Sequence, residues 1–177
     1  MRIFSFVGYS KSGKTTVIEY LTEVLTRRGY SVVVIKHIHR QVFEVDHKGK
    51  DTWRAFKAGA SLVVGLSEKR FFLFSRVPNT APLEKILKLI DLIHGEADFI
   101  FIEGQIRSIG NIEIPVVLLI KEDKEIEDFE ILKDRVVAIV YRDESINKKR
   151  IKEIFGEKPI IRIDQKERLL EVILNMD

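Results

Sequence analysis

The sequence predicts a doubly wound α/β fold, in which a mostly parallel sheet carries helices on both faces. Short apolar runs rich in β-branched residues alternate along the chain with amphipathic helical patterns, and this alternation is typical of parallel sheets. Several of the runs are apolar on both faces, as strands buried within a parallel sheet are. The chain has 177 residues, which suits one domain with a substantial core, so we predict a single domain over residues 1–177.

The individual elements follow from the period of the apolar residues. The predicted strands are residues 2–7, 31–36, 62–66, 71–74, 98–102, 115–120, 136–140 and 159–163. The predicted helices are residues 15–28, 51–58, 83–94, 144–155 and 165–175. The first helix is the clearest, because Gly29 follows it where a helix often ends in glycine. In the second helix, Asp51 is a predicted N-cap and Gly59 marks the end.

The composition excludes several classes of function. The chain has no cysteine, which excludes disulfides, thiolate catalysis and cysteine-ligated zinc. Its net charge is only +3 and the two signs are mixed along the chain, so we expect no nucleic-acid partner, and the basic run at 147–155 is interpreted as a solvated helix face. No apolar run is as long as a membrane span and no signal-peptide pattern is present, so we expect a cytoplasmic protein without a membrane partner.

A phosphate-binding loop follows the first predicted strand. The stretch "GYSKSGKTT" at residues 8–16 matches the pattern G-x-x-x-x-G-K-[ST] between a strand and a helix. In such loops the backbone N–H groups surround an anion, the lysine (here Lys14) reaches the β/γ-phosphates, and the hydroxyl of Thr15 ligates Mg²⁺. The predicted ligands of a nucleoside triphosphate are Gly8, Tyr9, Ser10, Lys11, Ser12, Gly13, Lys14, Thr15 and Thr16. Lys14 is also a predicted catalytic residue.

An acidic residue ends a later strand. The segment "DFIFIEG" at residues 98–104 is an apolar strand that closes with Glu103 and Gly104. A carboxylate at the carboxyl end of a strand beside a phosphate loop can hold Mg²⁺ through water or orient an attacking water. Glu103 is therefore predicted as a metal ligand with Thr15 and as a second catalytic residue. Asp98 begins the strand at the far end and is predicted to be structural.

Four segments carry a resemblance to a known family. They are "GYSKSGKTT", "VIKHIH", "VDHKGKDTWRAFKAGA" and "FIEG", in this order from residue 3 to about residue 104. In them the chain resembles the molybdopterin-guanine dinucleotide biosynthesis protein B (MobB) family. The histidine-containing block is more discriminating than the phosphate loop, and residues 105–177 carry only general α/β patterning. The chain departs from the family pattern at Arg40 and at residues 105–107.

The resemblance implies a P-loop NTPase fold with GTP as ligand and feeble hydrolysis. It also implies an adaptor role, in which the protein supports the guanylyltransferase that converts molybdopterin cofactor into its guanine dinucleotide form. Homodimers are expected from the family, and the molybdopterin cofactor is a further candidate ligand. A small-molecule kinase of the P-loop class is the alternative, but the sequence has no arginine-rich lid segment, which favours the adaptor.

The histidine-rich stretch at residues 34–53 has three interpretations. Zinc ligation would use His37, His39 and His47, although their spacing is poor for a structural zinc site. An ordinary polar loop is the second interpretation. In the third, which we favour, the stretch lies beside the phosphates, as the equivalent segment of related NTPases does. The predicted ligands are then Lys36 or His37 near the γ-phosphate, with Asp46 or Asp51 reaching Mg²⁺.

Two further features leave alternatives open, namely the side chains of the second predicted helix and the candidate base-recognition motifs. Arg54 could point towards an anion, and Trp53 and Phe56 are predicted to pack in a core. "LIKED" at residues 119–123 is similar to a guanine-binding motif, but Ile120 stands where Asn or Thr belongs. Asp143 is an equal candidate, so guanine specificity rests on the family resemblance.

Overall fold

The computed structural model describes residues 1–38, 47–76, 83–104, 108–109 and 112–176. The chain divides into two compact units. The sheet unit consists of residues 1–37 and 88–177, and the hairpin unit consists of residues 38–87. The single domain over 1–177 stays a prediction.

Strands and helices alternate along most of the described chain. The strands are β1 Arg2–Val7, β2 Val32–Lys36, β3 Leu62–Leu66, β4 Phe71–Ser75, β5 Phe99–Glu103, β6 Ser108–Ile109, β7 Ile112–Glu113, β8 Val116–Ile120, β9 Val136–Tyr141 and β10 Ile160–Arg162. The α-helices are α1 Lys14–Arg27, α2 Asp51–Lys57, α3 Leu83–His94, α4 Lys148–Phe155 and α5 Lys166–Leu174. Two 3₁₀ segments, Asp123–Glu125 and Glu127–Leu132, lie between β8 and β9.

The sheet unit is built on a six-stranded sheet in the order β10-β9-β8-β1-β5-β2. Every strand pair in it is parallel, so all strands end at the same edge. Side chains alternate between the two faces, as along any strand. Val117 and Leu119 of β8 pack with α1 and α5, whereas Val116, Leu118 and Ile120 pack with α4 and the 3₁₀ segments. The predicted doubly wound fold with helices on both faces is confirmed.

Some predicted boundaries differ from the structure. Helix α3 has its predicted bounds, and Gly29 follows α1 with a φ of 87°. Helix α4 begins at Lys148 and not at 144, because the Asn147 side chain accepts a hydrogen bond from the Arg150 N–H at 3.0 Å and caps the helix there. The short strands β6 and β7 and the 3₁₀ segments were not predicted. Within the described residues, no helix combines the length and apolar character needed to span a membrane.

The hairpin unit contains α2 and the antiparallel pair β3–β4. The predicted N-cap role of Asp51 is wrong, because Lys50 is the N-cap and Asp51 is the first helical residue. The ring of Phe56 lies 6.4 Å from that of Phe74, and the Arg76 guanidinium lies 4.3 Å from the centroid of the Phe56 ring. Phe56 and Trp53 are half-buried.

Candidate functional site

Residues 8–13 form the loop between β1 and α1. Lys11 and Gly13 have positive φ values of 65° and 101°. Alternation of ordinary and left-handed residues turns successive N–H groups towards the same side, which forms an anion-binding concavity. Gly13 is the N-cap of α1 and supplies no side-chain cap, and the first turn of the helix carries no acidic residue. The first N–H groups of α1 are thus left for an anion.

Close packing against the backbone requires glycine at position 8, and the left-handed φ of 101° favours glycine at position 13. A Cβ atom on Gly8 would lie 2.3 Å from the Leu119 carbonyl oxygen. A Cβ atom on Gly13 would lie 2.4 Å from Cδ1 of Ile163. The loop therefore lies directly against the end of β8 and against the residue that follows β10.

The Lys14 ammonium lies across the loop. Its Nζ donates hydrogen bonds to the carbonyl oxygens of Gly8 at 2.8 Å and Tyr9 at 2.9 Å. Burial lowers the pKa of Lys14, the nearby Glu103 carboxylate opposes this, and the Lys36 cation adds to it. These bonds hold the amine against the loop backbone, and its contact with phosphate oxygens stays a prediction.

Two other loop residues have defined surroundings. The Ser12 hydroxyl is buried and has no hydrogen-bond partner among the described residues. The Tyr9 hydroxyl donates to Asp128 at 3.0 Å, and its ring lies 5.3 Å from that of Phe129. The loop is therefore anchored to the second 3₁₀ segment. Ser10 and Lys11 are exposed.

Glu103 lies beside Thr15, as predicted. Both carboxylate oxygens lie 3.3 Å from the Thr15 hydroxyl oxygen and 3.3 Å from Nζ of Lys36. Strand pairing produces this arrangement, because Glu103 is in register with Phe6 of β1 and with Lys36 of β2. Hydroxyl and carboxylate oxygens are the ligands that Mg²⁺ prefers, so Thr15 and Glu103 fit a magnesium site.

The backbone around Glu103 is fixed on both sides. The Ser5 hydroxyl donates to the Gly104 carbonyl at 2.6 Å, and the His37 N–H donates to the Glu103 carbonyl at 3.0 Å. These bonds hold the strand end against its neighbours and set the direction in which the carboxylate leaves the sheet. At the opposite end, Asp98 accepts from the Ser31 N–H at 2.7 Å, which confirms its structural role.

The rest of the histidine-rich stretch is only partly described. His39 and Asp46, as well as Arg40, lie outside the described residues, and the zinc interpretation that includes His39 stays a prediction. No cluster of three or more potential metal-ligating His, Asp or Glu side chains occurs among the residues that the structure covers. In the hairpin unit, Asp51 is exposed and lies 3.9 Å from the Arg54 guanidinium.

A cavity of about 390 Å³ opens in the sheet unit next to the loop. Its lining includes Thr16, Tyr20, Arg142, Ile163, Asp164 and Glu167. Of these, sequence reasoning singled out only Thr16. For Arg142, Ile163 and Asp164 the available signal was their position just after β9 or β10, because the carboxyl ends of parallel strands share an edge with the phosphate loop.

The two acidic residues considered for base recognition have backbone partners. Asp123 accepts from the Asn147 N–H at 2.8 Å, and Asp143 accepts from the Ser145 N–H at 2.9 Å. Lys121, the lysine of the same motif, forms ion pairs with Glu122 at 3.3 Å and Glu125 at 3.7 Å. These residues hold the turns that follow β8 and β9.

The parallel sheet, with its glycine-rich loop between β1 and α1 and an acidic residue at the end of the adjacent strand, defines a P-loop NTPase fold. The family model of Molybdopterin guanine dinucleotide synthesis protein B matches residues 3–142. This chain belongs to the MobB family.

Sequence relatives agree with this assignment. A relative from Methanocaldococcus jannaschii is 33% identical over 161 residues, which cover 91% of this chain and 63% of the relative. The Haemophilus influenzae protein is 35% identical over 102 residues, covering 58% of this chain and 56% of the relative. The Escherichia coli molybdopterin-guanine dinucleotide biosynthesis adapter protein is 29% identical over 145 residues, covering 82% of this chain and 80% of the relative. The chain thus spans less than two thirds of the Methanocaldococcus and Haemophilus relatives.

Solved structures share the fold. The crystal structure of Bacillus subtilis MobB has a TM-score of 0.70 and 26% identity, covering 97% of this chain and 98% of the other. A crystal structure of molybdopterin-guanine biosynthesis protein B has a TM-score of 0.64 and 28% identity, covering 97% and 96%. The hydrogenase maturation factor HypB from Archaeoglobus fulgidus, at 12% identity and a TM-score of 0.57 over 98% and 88%, is similar in fold alone.

Proposed function

We propose that this protein is a cytoplasmic GTP-binding adapter of molybdopterin-guanine dinucleotide biosynthesis, which supports the guanylyltransferase that makes the dinucleotide. The observation that carries the proposal is the contact of Thr15 with Glu103 at 3.3 Å, directly beside the phosphate loop. This arrangement supplies both an anion site and oxygen ligands for Mg²⁺. It occurs in a chain of the MobB family, whose Escherichia coli relative is named as an adapter protein.

The residues of the loop have separate roles in the proposed complex. The N–H groups of the loop and of the first turn of α1 bind the phosphates, and the Ser12 hydroxyl is a further donor. Lys14 exchanges its bonds to the Gly8 and Tyr9 carbonyls for bonds to the β/γ-phosphates. Bound Mg²⁺ would supply positive charge against the phosphate oxygens, and Thr15 with Glu103 would hold it.

Hydrolysis by the isolated protein is proposed to be slow. The cationic groups that donate to the loop carbonyls and to the Glu103 carboxylate, among the described residues, are the amines of Lys14 and Lys36, and neither is an arginine. In related reactions an arginine finger contributes about 10³–10⁵ in rate. We expect a hydrolysis rate well under ~1 s⁻¹, which is the value at the low end of the range for ordinary enzymes. A kinase would instead need an acceptor site and a rapid transfer step.

A homodimer is part of the proposal. Strands β3 and β4 expose Leu62, Val64, Leu66, Phe71, Phe72 and Leu73. Contiguous apolar surface of this kind commonly marks a protein–protein interface. A second copy of the chain fits best, since the family resemblance implies homodimers, and an isolated two-stranded hairpin is marginally stable without further packing.

The test combines the purified protein with the guanylyltransferase of molybdenum-cofactor synthesis. We expect a complex whose affinity depends on GTP and Mg²⁺, and an increased yield of dinucleotide product. The Lys14→Ala variant should lose the GTP dependence, and Lys133→Ala, which removes an exposed lysine that precedes β9, should keep it. Rapid phosphorylation of a small acceptor by the protein alone, without binding to that enzyme, would contradict the adapter role.

A further inference from the structure

A second cavity, of about 590 Å³, lies within the hairpin unit. Its lining comes from the start of α2, from the end of β3 and the turn that follows it, and from the start of β4. The volume falls within the range of about 300–1,000 Å³ that is typical of small-molecule sites. The cavity is therefore large enough for a ligand of its own.

The two faces of the hairpin differ in what they present. Side chains of paired antiparallel strands alternate between the faces, and Val63 pairs with Phe74. Gly65 pairs with Phe72, so these four residues share one face. The Phe74 ring lies 6.4 Å from the ring of Phe56 in α2, so this is the face that α2 covers. The other exposed apolar side chains belong to the opposite face and are Leu62, Val64, Leu66, Phe71 and Leu73. Phe72 thus lies on a different face from the other five side chains proposed for the dimer interface.

The Phe72 ring lies over Gly65. A Cβ atom on Gly65 would lie 2.3 Å from Cε1 and Cζ of that ring, so the ring occupies the space of the missing side chain. Its centroid lies 4.9 Å from that of Phe74, which contacts Phe56 in turn. Phe72 nevertheless is 41% exposed and lines the cavity. An aromatic ring that its neighbours fix on one side offers its other side to a flat ligand.

Two cations line the same cavity. Lys50 and Arg70 are exposed, and neither side chain has an ion-pair partner among the residues that the structure describes. The backbone that carries them is anchored, because the Arg70 N–H donates to the Ser67 hydroxyl at 3.1 Å and the Lys50 carbonyl accepts from the Arg54 N–H at 2.9 Å. Asp51 also lines the cavity, but its carboxylate lies 3.9 Å from the Arg54 guanidinium. The lining therefore carries two uncompensated positive charges.

These groups together match a flat ring that carries a phosphate. A phosphate monoester has a charge of about −1.5 to −2 near pH 7, which two cations would balance. An arginine guanidinium binds phosphate through two parallel hydrogen bonds, and a lysine adds a point charge. A phosphate alone would leave the Phe72 ring in water, and an uncharged ring would leave both cations without a partner. The cavity thus favours a ligand that combines the two.

We propose that this cavity binds a phosphorylated pterin, with the pterin ring on Phe72 and the phosphate between Arg70 and Lys50. The choice of a pterin among phosphorylated ring compounds rests on the proposed function, because molybdopterin is such a compound and forms one half of the dinucleotide for which the family is named. The nucleotide of the proposed function binds at the phosphate loop of the sheet unit. The protein would then hold both compounds from which the dinucleotide is made, each on its own unit.

The test measures dissociation constants by titration calorimetry for 6-hydroxymethylpterin phosphate, for 6-hydroxymethylpterin without the phosphate, and for inorganic phosphate. The wild type should bind the phosphorylated pterin most tightly. Arg70→Ala should weaken that binding about 10- to 100-fold and leave the binding of the unphosphorylated pterin unchanged. Phe72→Ala should weaken the binding of both pterins about 10-fold. Lys69→Ala is the matched control, because it removes an exposed lysine of the same turn that lies outside the described lining, and it should keep the wild-type affinities.

A steric variant tests the position of the ring without removing a charge. Gly65→Val places a side chain where the Phe72 ring now lies, so the ring should move into the cavity and the binding of both pterins should weaken. The variant should fold, because valine is favoured in strands. Wild-type affinity for the phosphorylated pterin in both Arg70→Ala and Phe72→Ala would overturn the proposal. Equal affinities of the wild type for inorganic phosphate and for the phosphorylated pterin would show an anion site only, and would overturn it as well.

The phosphate loop is the competing site for any phosphorylated compound. Binding of the phosphorylated pterin should persist in Lys14→Ala and in the presence of saturating GTP. Its loss under either condition, with wild-type affinity in Arg70→Ala, would place the phosphate at the loop and overturn the inference. A protein that binds GTP but not the phosphorylated pterin would overturn the inference and leave the proposed nucleotide site. A protein that binds the phosphorylated pterin but not GTP would support the cavity and refute the nucleotide part of the proposed function.

Discussion

Removal of the Lys14 amine should weaken nucleotide binding about 100-fold while leaving the fold intact. Among the described residues, this amine bonds to the carbonyls of Gly8, which is half-buried, and Tyr9, which is exposed. Water can replace it there, so Lys14→Ala should lower the stability of the free protein by about 1 kcal/mol or less. The free-energy cost of removing the amine is larger in the nucleotide complex, because there it would be a charged donor to the phosphates.

The magnitude follows from the linkage between binding and unfolding. GTP at a hundred times its dissociation constant should stabilise the wild type by about 2.7 kcal/mol. For a chain of this size that raises Tm by about 5–11 °C. Loss of a charged hydrogen bond worth about 2.7 kcal/mol raises the dissociation constant about 100-fold. The same GTP concentration then stabilises Lys14→Ala by only about 0.4 kcal/mol, or about 1 °C.

Thermal unfolding with and without GTP and Mg²⁺ measures this difference. Lys133→Ala is the matched control, because it removes an exposed lysine that precedes β9, outside both the phosphate loop and the histidine-rich stretch. Equal GTP-induced shifts in Lys14→Ala and the wild type would refute the assignment of Lys14 to the phosphates. A Tm of the free variant many degrees below that of the wild type would refute the claim that its role is local.

Three further perturbations test the site and the hairpin. Glu103→Gln should remove most of the Mg²⁺ dependence of GTP affinity measured by titration calorimetry, because the carboxylate is a proposed metal ligand, and Glu96→Gln should not. Burial lowers the pKa of Lys14 from its ordinary value of 10.5. The amine should therefore lose its charge, and GTP affinity should fall, at a lower pH than the one at which an ordinary lysine titrates. The Lys14→Ala variant should not show this decline. Leu66→Lys, at an 81% exposed position of the hairpin, should convert dimers to monomers in light scattering, whereas Ile131→Lys, 79% exposed on the second 3₁₀ segment, should not.

Local chemistry made the phosphate loop and Glu103 predictable from the sequence. The spacing of Gly8, Gly13 and Lys14 indicates a loop conformation that few residue types can adopt. Glu103 is the acidic residue at the end of an apolar strand, so its position can be read directly from the local sequence. The order of the strands was not needed for either prediction. The parallel sheet then brings the two segments together, because β1 and β5 are neighbours.

The predictions that differ from the structure have a different physical origin. Asp51 has the right side chain for an N-cap, but the helix begins at that residue and Lys50 takes the cap position. Helix α4 begins at Lys148 because the Asn147 side chain accepts a hydrogen bond from the Arg150 N–H and thereby caps the helix. The Asp164 side of the cavity depends on the approach of the chain after β10 to Gly13, and such a distant contact has no signature in either segment. The role of the K-x-D pattern at residues 121–123 in base recognition stays a prediction, and in the structure Asp123 accepts a hydrogen bond from the Asn147 N–H.

The carboxylate of Glu103 links the phosphate loop to the end of β2. Lys36 donates to the same two oxygens that the Thr15 hydroxyl contacts, all at 3.3 Å. Lys36 should leave this carboxylate when a divalent cation binds there, because two such charges about 4 Å apart repel by several kcal/mol at an effective dielectric constant of about 20. The His37 N–H meanwhile stays bonded to the Glu103 carbonyl, so the strand itself need not move. We therefore expect the presence of nucleotide to be signalled at the end of β2 by the displaced charge of Lys36. Lys36→Met should then raise Mg²⁺ affinity in the presence of GTP, and a lowered affinity would show that Lys36 acts chiefly as a phosphate ligand.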